Sequence, residues 1–347
     1  MRKRTFFASP ANEWIDTLST ESANSPVIVI GYPRSGTTLV LHILLSSGEF
    51  SDYNFSETHF FSHYYRRYGS LRKRKNLEKF LAEISKSEWI QNSDITPDEL
   101  QAEVGKSGSN YESYFSAFMN LITRKQGESR WVEKTPWHML YVAEIKQALP
   151  DAKFIFVMRD PRDTIQSVLA YGWTEGFFTE TTKLAVAWNW HINHTTTLLE
   201  KMNIPYLTVK YEDLTGNTEH SLNALNDFLG LQLDSDTLKS EGVGVLKRSN
   251  SSYNKPAQEK SNQGEGETNA SHAGISARSK ERWHETMNSQ AICEVEYITR
   301  ENLIKYGYTI TSQCKPTGIG YLKIKILGLL YNFHKVIRHL LFPAIRR

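Results

Sequence analysis

The chain of 347 residues contains only two cysteines, Cys293 and Cys314. Two cysteines cannot build a scaffold of several disulfides, and their spacing is not that of a zinc site. The sequence therefore excludes a small disulfide-stabilised domain, and a reducing compartment is the natural environment to expect.

Long apolar runs are also lacking. No stretch of about 18 apolar residues occurs, so no membrane-spanning helix is expected. The first residues, MRKRTFFASPANEW, are basic but lack the apolar centre of a signal peptide. The formal net charge of +3 is too small to indicate a nucleic-acid-binding protein. These absences predict a cytoplasmic protein that has no nucleic-acid partner.

One stretch, VIVIGYPRSGTTLVLHILLSS at 27–47, is rich in chemical signals. Val27–Ile30 is a β-branched apolar run that predicts a buried strand, and Leu39–Leu45 has a helical pattern. The turn between them directs backbone N–H groups and a helix N-terminus toward an anion. Arg34 can bind phosphate or sulfonate through two parallel hydrogen bonds. The stretch predicts an anion site, with a ligand-free strand-to-helix turn as the alternative.

The same turn is not an ordinary nucleotide P-loop. Gly31 and Gly36 have the P-loop spacing, but Thr37 stands where the P-loop has lysine. Because that lysine reaches the β- and γ-phosphates, its absence argues against a common ATPase or kinase.

The segment YPRSGTT resembles the 5′-phosphosulfate loop of sulfotransferases, which take a sulfuryl group from 3′-phosphoadenosine 5′-phosphosulfate (PAPS). The resemblance implies an α/β fold: a P-loop-like three-layer sandwich with a central parallel sheet and helical insertions. It also implies that no metal is required, because fixed cations neutralise the charge that Mg²⁺ neutralises in kinases. The implied donor-binding residues of the loop are Arg34, Ser35, Gly36, Thr37 and Thr38.

A general base is needed because an acceptor hydroxyl attacks sulfur poorly while it keeps its proton. Related sulfotransferases carry an acidic residue some distance after the loop, and Glu57 fits that place. The resemblance therefore implies Glu57 as the base. His59 is an alternative, since cytosolic sulfotransferases use a histidine, and a purely structural role for Glu57 is another.

Lys134, in the segment WVEKTP, resembles a lysine found in tyrosylprotein and many bacterial sulfotransferases. It would neutralise charge on the bridging oxygen as the S–O bond breaks, together with Arg34. An exposed lysine before a proline turn is the structural alternative.

Phe154–Met158 is a continuous apolar run, as expected of a central parallel strand. Arg159 follows it directly, and Ser167 lies two helical turns later, with Asp163 or Thr164 placed to cap the helix between them. Arg159 and Ser167 match the 3′-phosphate signature of sulfotransferases.

Three further donor contacts are implied by the resemblance. Tyr211, in the segment YEDL after the predicted strand Pro205–Lys210, would touch the adenosine end of PAPS. Ser249 and Arg282 would bind the 3′-phosphate.

The remaining chain consists of helical insertions and a distinctive tail. Residues 77–128 have helical spacing with breaks and would shape the acceptor pocket. Residues 321–347 combine cations with helical apolar spacing and contain no acid. This pattern predicts an interfacial helix at a membrane surface, with docking on the domain as the alternative.

The sequence thus predicts an N-terminal lead-in at 1–25, a sulfotransferase domain at 26–314 and a basic amphipathic tail at 315–347. The resemblance is to bacterial sulfotransferases whose donor motifs are similar to those of tyrosylprotein sulfotransferases. We expect PAPS-dependent transfer to a hydroxyl, with a saccharide or glycolipid as the first choice of acceptor and a phenolic metabolite or peptide tyrosine next. The rival functions are an ATP-dependent kinase and a non-catalytic nucleotide-binding protein. The expected location is the cytoplasm, at the inner face of the membrane.

Overall fold

The computed structural model describes residues 25–51, 57–105, 109–128, 130–171, 180–235, 238, 280–313, 315–316 and 318–341, with side chains as far as Phe333. Ser249, predicted to bind the 3′-phosphate, and Cys314 lie outside these residues.

The centre of the fold is a sheet of four parallel strands in the order β2-β1-β3-β4. The strands are β1 (Val27–Gly31), β2 (Val132–Lys134), β3 (Lys153–Met158) and β4 (Tyr206–Lys210). β1 and β3 are almost entirely apolar because helices cover both faces of the sheet. The predicted α/β fold with a central parallel sheet is confirmed.

Helices make up most of the remaining described chain. Phe60–Tyr64 forms a π-helical turn and Pro136–Tyr141 a 3-10 helix. The α-helices are α1 (Thr37–Leu45), α2 (Arg74–Ile84), α3 (Glu88–Gln91), α4 (Pro97–Val104), α5 (Tyr111–Lys125), α6 (Val142–Ala148), α7 (Pro161–Tyr171), α8 (Thr181–Lys201), α9 (Tyr211–Gly216), α10 (Thr218–Leu229), α11 (Trp283–Thr286), α12 (Ser289–Lys305) and α13 (Gly318–Leu341).

The sheet divides the apolar core into two layers. Successive side chains of a strand point to opposite faces. Ile28 and Ile30 of β1 therefore join the larger cluster, which includes residues of α5 and α8. Val27 and Val29 join the other cluster, with residues of α1 and α10. The result is the three-layer arrangement expected from the sequence.

The apolar start of the segment 50–53 suggests a further strand after α1, but Phe50 does not belong to a strand of the sheet. Phe50 forms only an isolated parallel bridge with Arg130, and Tyr53 lies outside the described residues. β2, which carries Lys134, takes the position beside β1 instead. Its three residues are too few to produce a pattern in the sequence.

The tail helix α13 packs one face on the domain. Tyr331 is buried against Val186 and Ala187 of α8, and Lys323 pairs with Glu180 at 2.9 Å. Among the described residues, no helix is long and apolar enough to cross a membrane.

Cys293 of α12 takes part in a disulfide. This bridge was not expected from the sequence. The cytoplasmic location stays a prediction.

Candidate active site

The site lies at the carboxyl ends of β1 and β3. The chain leaves β1 toward β2 on one side and leaves β3 toward β4 on the other. This is the topological switch point of an open α/β sheet, where ligands bind in the crevice between the two strand ends. The two strongest sequence motifs, after Ile30 and after Met158, meet at this crevice.

Two glycines allow the first loop to take its shape. Gly31 pairs with Val157, and a Cβ on Gly31 would stand 2.5 Å from the carbonyl oxygen of Val157. Gly36 has φ +97° and caps α1, and its Cβ would stand 2.5 Å from Cδ2 of Tyr211. Since a glycine cap offers no side chain to the first-turn N–H groups of α1, those amides are suited to an anion.

Arg34 and Arg159 connect the two loops. Arg159 Nη1 donates to the carbonyl oxygen of Arg34 at 3.0 Å. Arg34 Nε donates to Ser167 Oγ at 3.1 Å. The guanidinium of Arg159 also lies over the Tyr211 ring, 4.6 Å from its centroid. The structure thus brings together four residues that the sequence placed in the donor site.

Glu57 and Lys134 form an ion pair at one end of this crevice. Lys134 Nζ lies 2.7 Å from Glu57 Oε1, and His59 Nε2 lies 3.1 Å from Glu57 Oε2. The Lys134 side chain is 2% exposed, whereas Glu57 is 24% exposed. Lys134 is therefore buried, unlike the structural alternative of an exposed lysine. Both candidates for the base, Glu57 and His59, lie in one cluster.

A buried carboxylate beside this cluster holds the segment that carries Glu57. Glu133 accepts hydrogen bonds from Thr58 Oγ1 at 2.8 Å and from Thr135 Oγ1 at 2.6 Å. Its other oxygen is 2.9 Å from His138 Nδ1, while Phe61 N donates to His138 Nε2 at 3.2 Å. Burial tends to raise the pKa of Glu133, but the hydrogen bonds it accepts from His138, Thr135 and Thr58 outweigh the burial and hold the pKa below its usual range. No pattern in the sequence indicated this network.

His42 lies in the last turn of α1, and the charge of Lys134 contributes to its pKa. Burial first, and then the positive charge of Lys134, lower the pKa of His42 to about 4. His42 is therefore neutral at pH 7.

The second loop is held by a buried ion network. Arg162 donates from Nε and Nη2 to the two oxygens of Asp160, at 2.9 and 2.6 Å, and pairs with Glu296 of α12. Its guanidinium lies 3.8 Å from the Trp283 ring centroid. Arg162, three residues after Arg159, therefore belongs to the scaffold of the site.

The predicted cap of α7 is wrong. Asp160, not Asp163 or Thr164, precedes the helix and accepts from Arg162 N at 2.8 Å. Asp163 instead accepts from the backbone N–H groups of Glu281 and Trp283, at 2.7 and 3.0 Å. It thereby docks the segment that contains Arg282. The Arg282 side chain itself is exposed, so its role at the 3′-phosphate stays a prediction.

Comparison with known proteins decides the family. A profile described as the sulfotransferase family matches residues 26–235. The chain belongs to the sulfotransferase family.

Relatives and a solved structure agree with this assignment. A chain from Caenorhabditis briggsae, provisionally named a protein-tyrosine sulfotransferase, is 28% identical over 61% of this chain and 68% of its own length. A Caenorhabditis elegans chain of the same name is 24% identical over 46% of this chain and 58% of its own. The sulfotransferase domain of the Synechococcus PCC 7002 olefin synthase has a similar fold, with a TM-score of 0.52, 19% identity and coverage of 83% of this chain and 96% of that domain.

The protein is thus a PAPS-dependent sulfotransferase, as the sequence predicted. The geometry fits the donor, because uncapped amides of α1, Arg34 and Arg159 meet at one crevice. The family match also favours sulfuryl transfer over the kinase alternative.

Proposed function

We propose that this sulfotransferase transfers the sulfuryl group to a phenolic hydroxyl, and specifically to tyrosine in a peptide. The contact of Glu57 with Lys134, beside the donor loop, is the observation that carries the proposal. The names of the two nematode relatives support the choice of acceptor.

The proposal assigns a role to each residue of the site. Glu57 takes the proton of the acceptor hydroxyl, whose oxygen then forms the new S–O bond. Lys134 and Arg34 stabilise the negative charge on the oxygen that leaves sulfur. Arg159 and Ser167 hold the 3′-phosphate. His59, 3.1 Å from Glu57, orients the carboxylate.

The chemistry of the base favours a phenol. A tyrosine hydroxyl has a pKa of about 10, much closer to that of a carboxylic acid than the pKa of an aliphatic alcohol is. A carboxylate base therefore accepts the proton of a phenol with a smaller mismatch than that of a sugar hydroxyl. For this reason the saccharide or glycolipid, our first choice from the sequence, becomes the second candidate.

The test measures transfer of radioactive sulfate from labelled PAPS. The acceptors are a tyrosine peptide, the same peptide with phenylalanine for tyrosine, p-nitrophenol and an alkyl glucoside. We expect label on the tyrosine peptide and on p-nitrophenol, and none on the phenylalanine peptide.

A second measurement separates the donor from the acceptor. Calorimetric titration with adenosine 3′,5′-bisphosphate, and with ATP for comparison, reports the donor site without any acceptor. Bisphosphate binding together with transfer to the glucoside alone would overturn the phenolic acceptor but leave sulfuryl transfer intact.

A further inference from the structure

The tail helix α13 has two apolar faces, and only one of them is covered by the domain. On the covered face, Ile324 and Tyr331 are buried, and Leu327 packs against the cluster that contains Tyr331. The opposite face bears a series of apolar side chains: Ile319, Leu322, Ile326, Leu329, Leu330 and Phe333. This stripe is exposed, from 46% at Ile326 to 88% at Ile319.

Such a stripe needs an explanation. Single exposed apolar residues are common, but a contiguous apolar patch on a folded protein marks an interaction surface. The side chains lie on one side of a helix of 24 residues, about 36 Å long. An elongated apolar strip of this kind fits an extended partner surface.

The charges around the stripe identify that partner. Glu301 is the last acidic residue of the sequence, and every charged residue after it is lysine or arginine. Lys325 is exposed at the border of the stripe, next to Ile326. Lys323, at the other border, is held by Glu180. A basic border beside exposed leucine, isoleucine and phenylalanine is the pattern of a helix that lies in the plane of an anionic bilayer.

We propose that the exposed face of α13 binds the surface of an anionic lipid bilayer, with its apolar side chains in the headgroup region. A second copy of this chain fits less well, because pairing of two such faces would bring lysines together with no acid on the helix to oppose them. The proposal concerns a surface apart from the donor site and does not depend on the nature of the acceptor.

The test is co-sedimentation of the full chain with vesicles. One set contains phosphatidylcholine alone and the other an equal mixture of phosphatidylcholine and phosphatidylglycerol. We expect strong binding to the mixed vesicles that weakens as salt is added. The double variant Ile326→Gln/Leu329→Gln should lose binding by about tenfold or more, because two leucine-size side chains that the bilayer would cover are removed. Lys325→Gln should weaken binding to the mixed vesicles by roughly fivefold.

A matched control comes from another helix of the same chain. Ile304 of α12 is also an exposed isoleucine, at 60%, and Ile304→Gln should bind as the wild type does. Because all substituted side chains are exposed, circular dichroism and bisphosphate binding should be the same in every variant. Equal vesicle binding by the wild type and the double variant would overturn the proposal. So would binding to neither vesicle together with a dimer, seen by analytical ultracentrifugation, that the double variant abolishes.

Discussion

Lys134 Nζ lies 2.7 Å from Glu57 Oε1, so the candidate base and the candidate electrostatic stabiliser are in direct contact. The two side chains come from segments far apart in the chain, and β2 brings them together beside β1. Because of this contact, a substitution of either side chain also changes the surroundings of the other.

Replacement of Glu57 by glutamine should lower kcat by about 10²- to 10⁴-fold, since the amide keeps the size of the carboxyl but cannot accept the proton. The affinity for adenosine 3′,5′-bisphosphate should stay unchanged. Steady-state kinetics with labelled PAPS and calorimetry measure the two effects.

Glu49 provides the control for that variant. It pairs with Arg130, a buried cation, at 3.2 Å, much as Glu57 pairs with Lys134. Glu49→Gln should leave kcat near the wild-type value. A full loss of activity in His59→Gln combined with an active Glu57→Gln would instead make His59 the base.

Substitution of Arg159 should lower the affinity for the donor product, whereas substitution of Arg162 should lower the stability of the fold. Arg159→Gln should weaken binding of adenosine 3′,5′-bisphosphate by roughly 10- to 100-fold, because a hydrogen bond to a charged group is lost. Its free energy of unfolding should change little. Arg162→Gln should lower the free energy of unfolding by about 3–5 kcal/mol, because Asp160 and Glu296 stay buried without their cation. Urea unfolding and calorimetry on both variants measure the contrast. Equal effects on binding would make Arg162 part of the donor site.

Gly36→Ala should distort the donor loop. The new Cβ would stand 2.5 Å from Tyr211 Cδ2, at a residue whose φ of +97° is unfavourable for alanine. We expect bisphosphate affinity to fall by at least about tenfold, which is about 1.4 kcal/mol. Gly127→Ala is the control, since Gly127 also has a positive φ but no atom within 4 Å of its added Cβ. The control should lose stability only and keep the affinity.

The Tyr211 contact can be tested separately. If the contact causes the distortion, the Gly36→Ala change should cost less free energy of unfolding in a Tyr211→Ala background than in the wild type. Equal costs in the two backgrounds would assign the effect to backbone strain.

The parts of the fold that rest on local patterns were predictable from the sequence. The apolar runs of β1 and β3, the glycines around Arg34 and the cap glycine Gly230, with φ +72°, each depend on a few consecutive residues. These are the parts that propensity and spacing can show.

The buried polar networks could not be predicted in this way. Glu133 accepts a hydrogen bond from Thr58, and Arg162 forms an ion pair with Glu296, although the partners are far apart in the sequence. Only the packing of β2 and α12 creates these contacts. In the segment RDPRD, the resemblance implied Arg159 as the donor ligand, but local spacing could not show that Arg162 is buried in an ion network.

His42 makes the stability of the protein depend on pH. Its pKa falls from the ordinary histidine value of 6.5 to about 4 in the folded chain, through burial and the charge of Lys134. Because the unfolded chain binds the proton more tightly, this contribution to stability is present above pH 6.5 and is lost as the pH falls toward 4. The shift corresponds to about 3 kcal/mol.

His42→Gln should remove that part of the acid sensitivity, so the difference in unfolding free energy between about pH 7 and about pH 4 should shrink relative to the wild type. Urea unfolding of both proteins at a series of pH values measures this difference. In Lys134→Met the like charge is gone, and the pKa of His42, followed by NMR of its imidazole protons, should rise but stay below 6.5, since burial is the larger cause. A pKa of His42 that does not change in Lys134→Met would show that burial alone lowers it and that the charge of Lys134 contributes nothing.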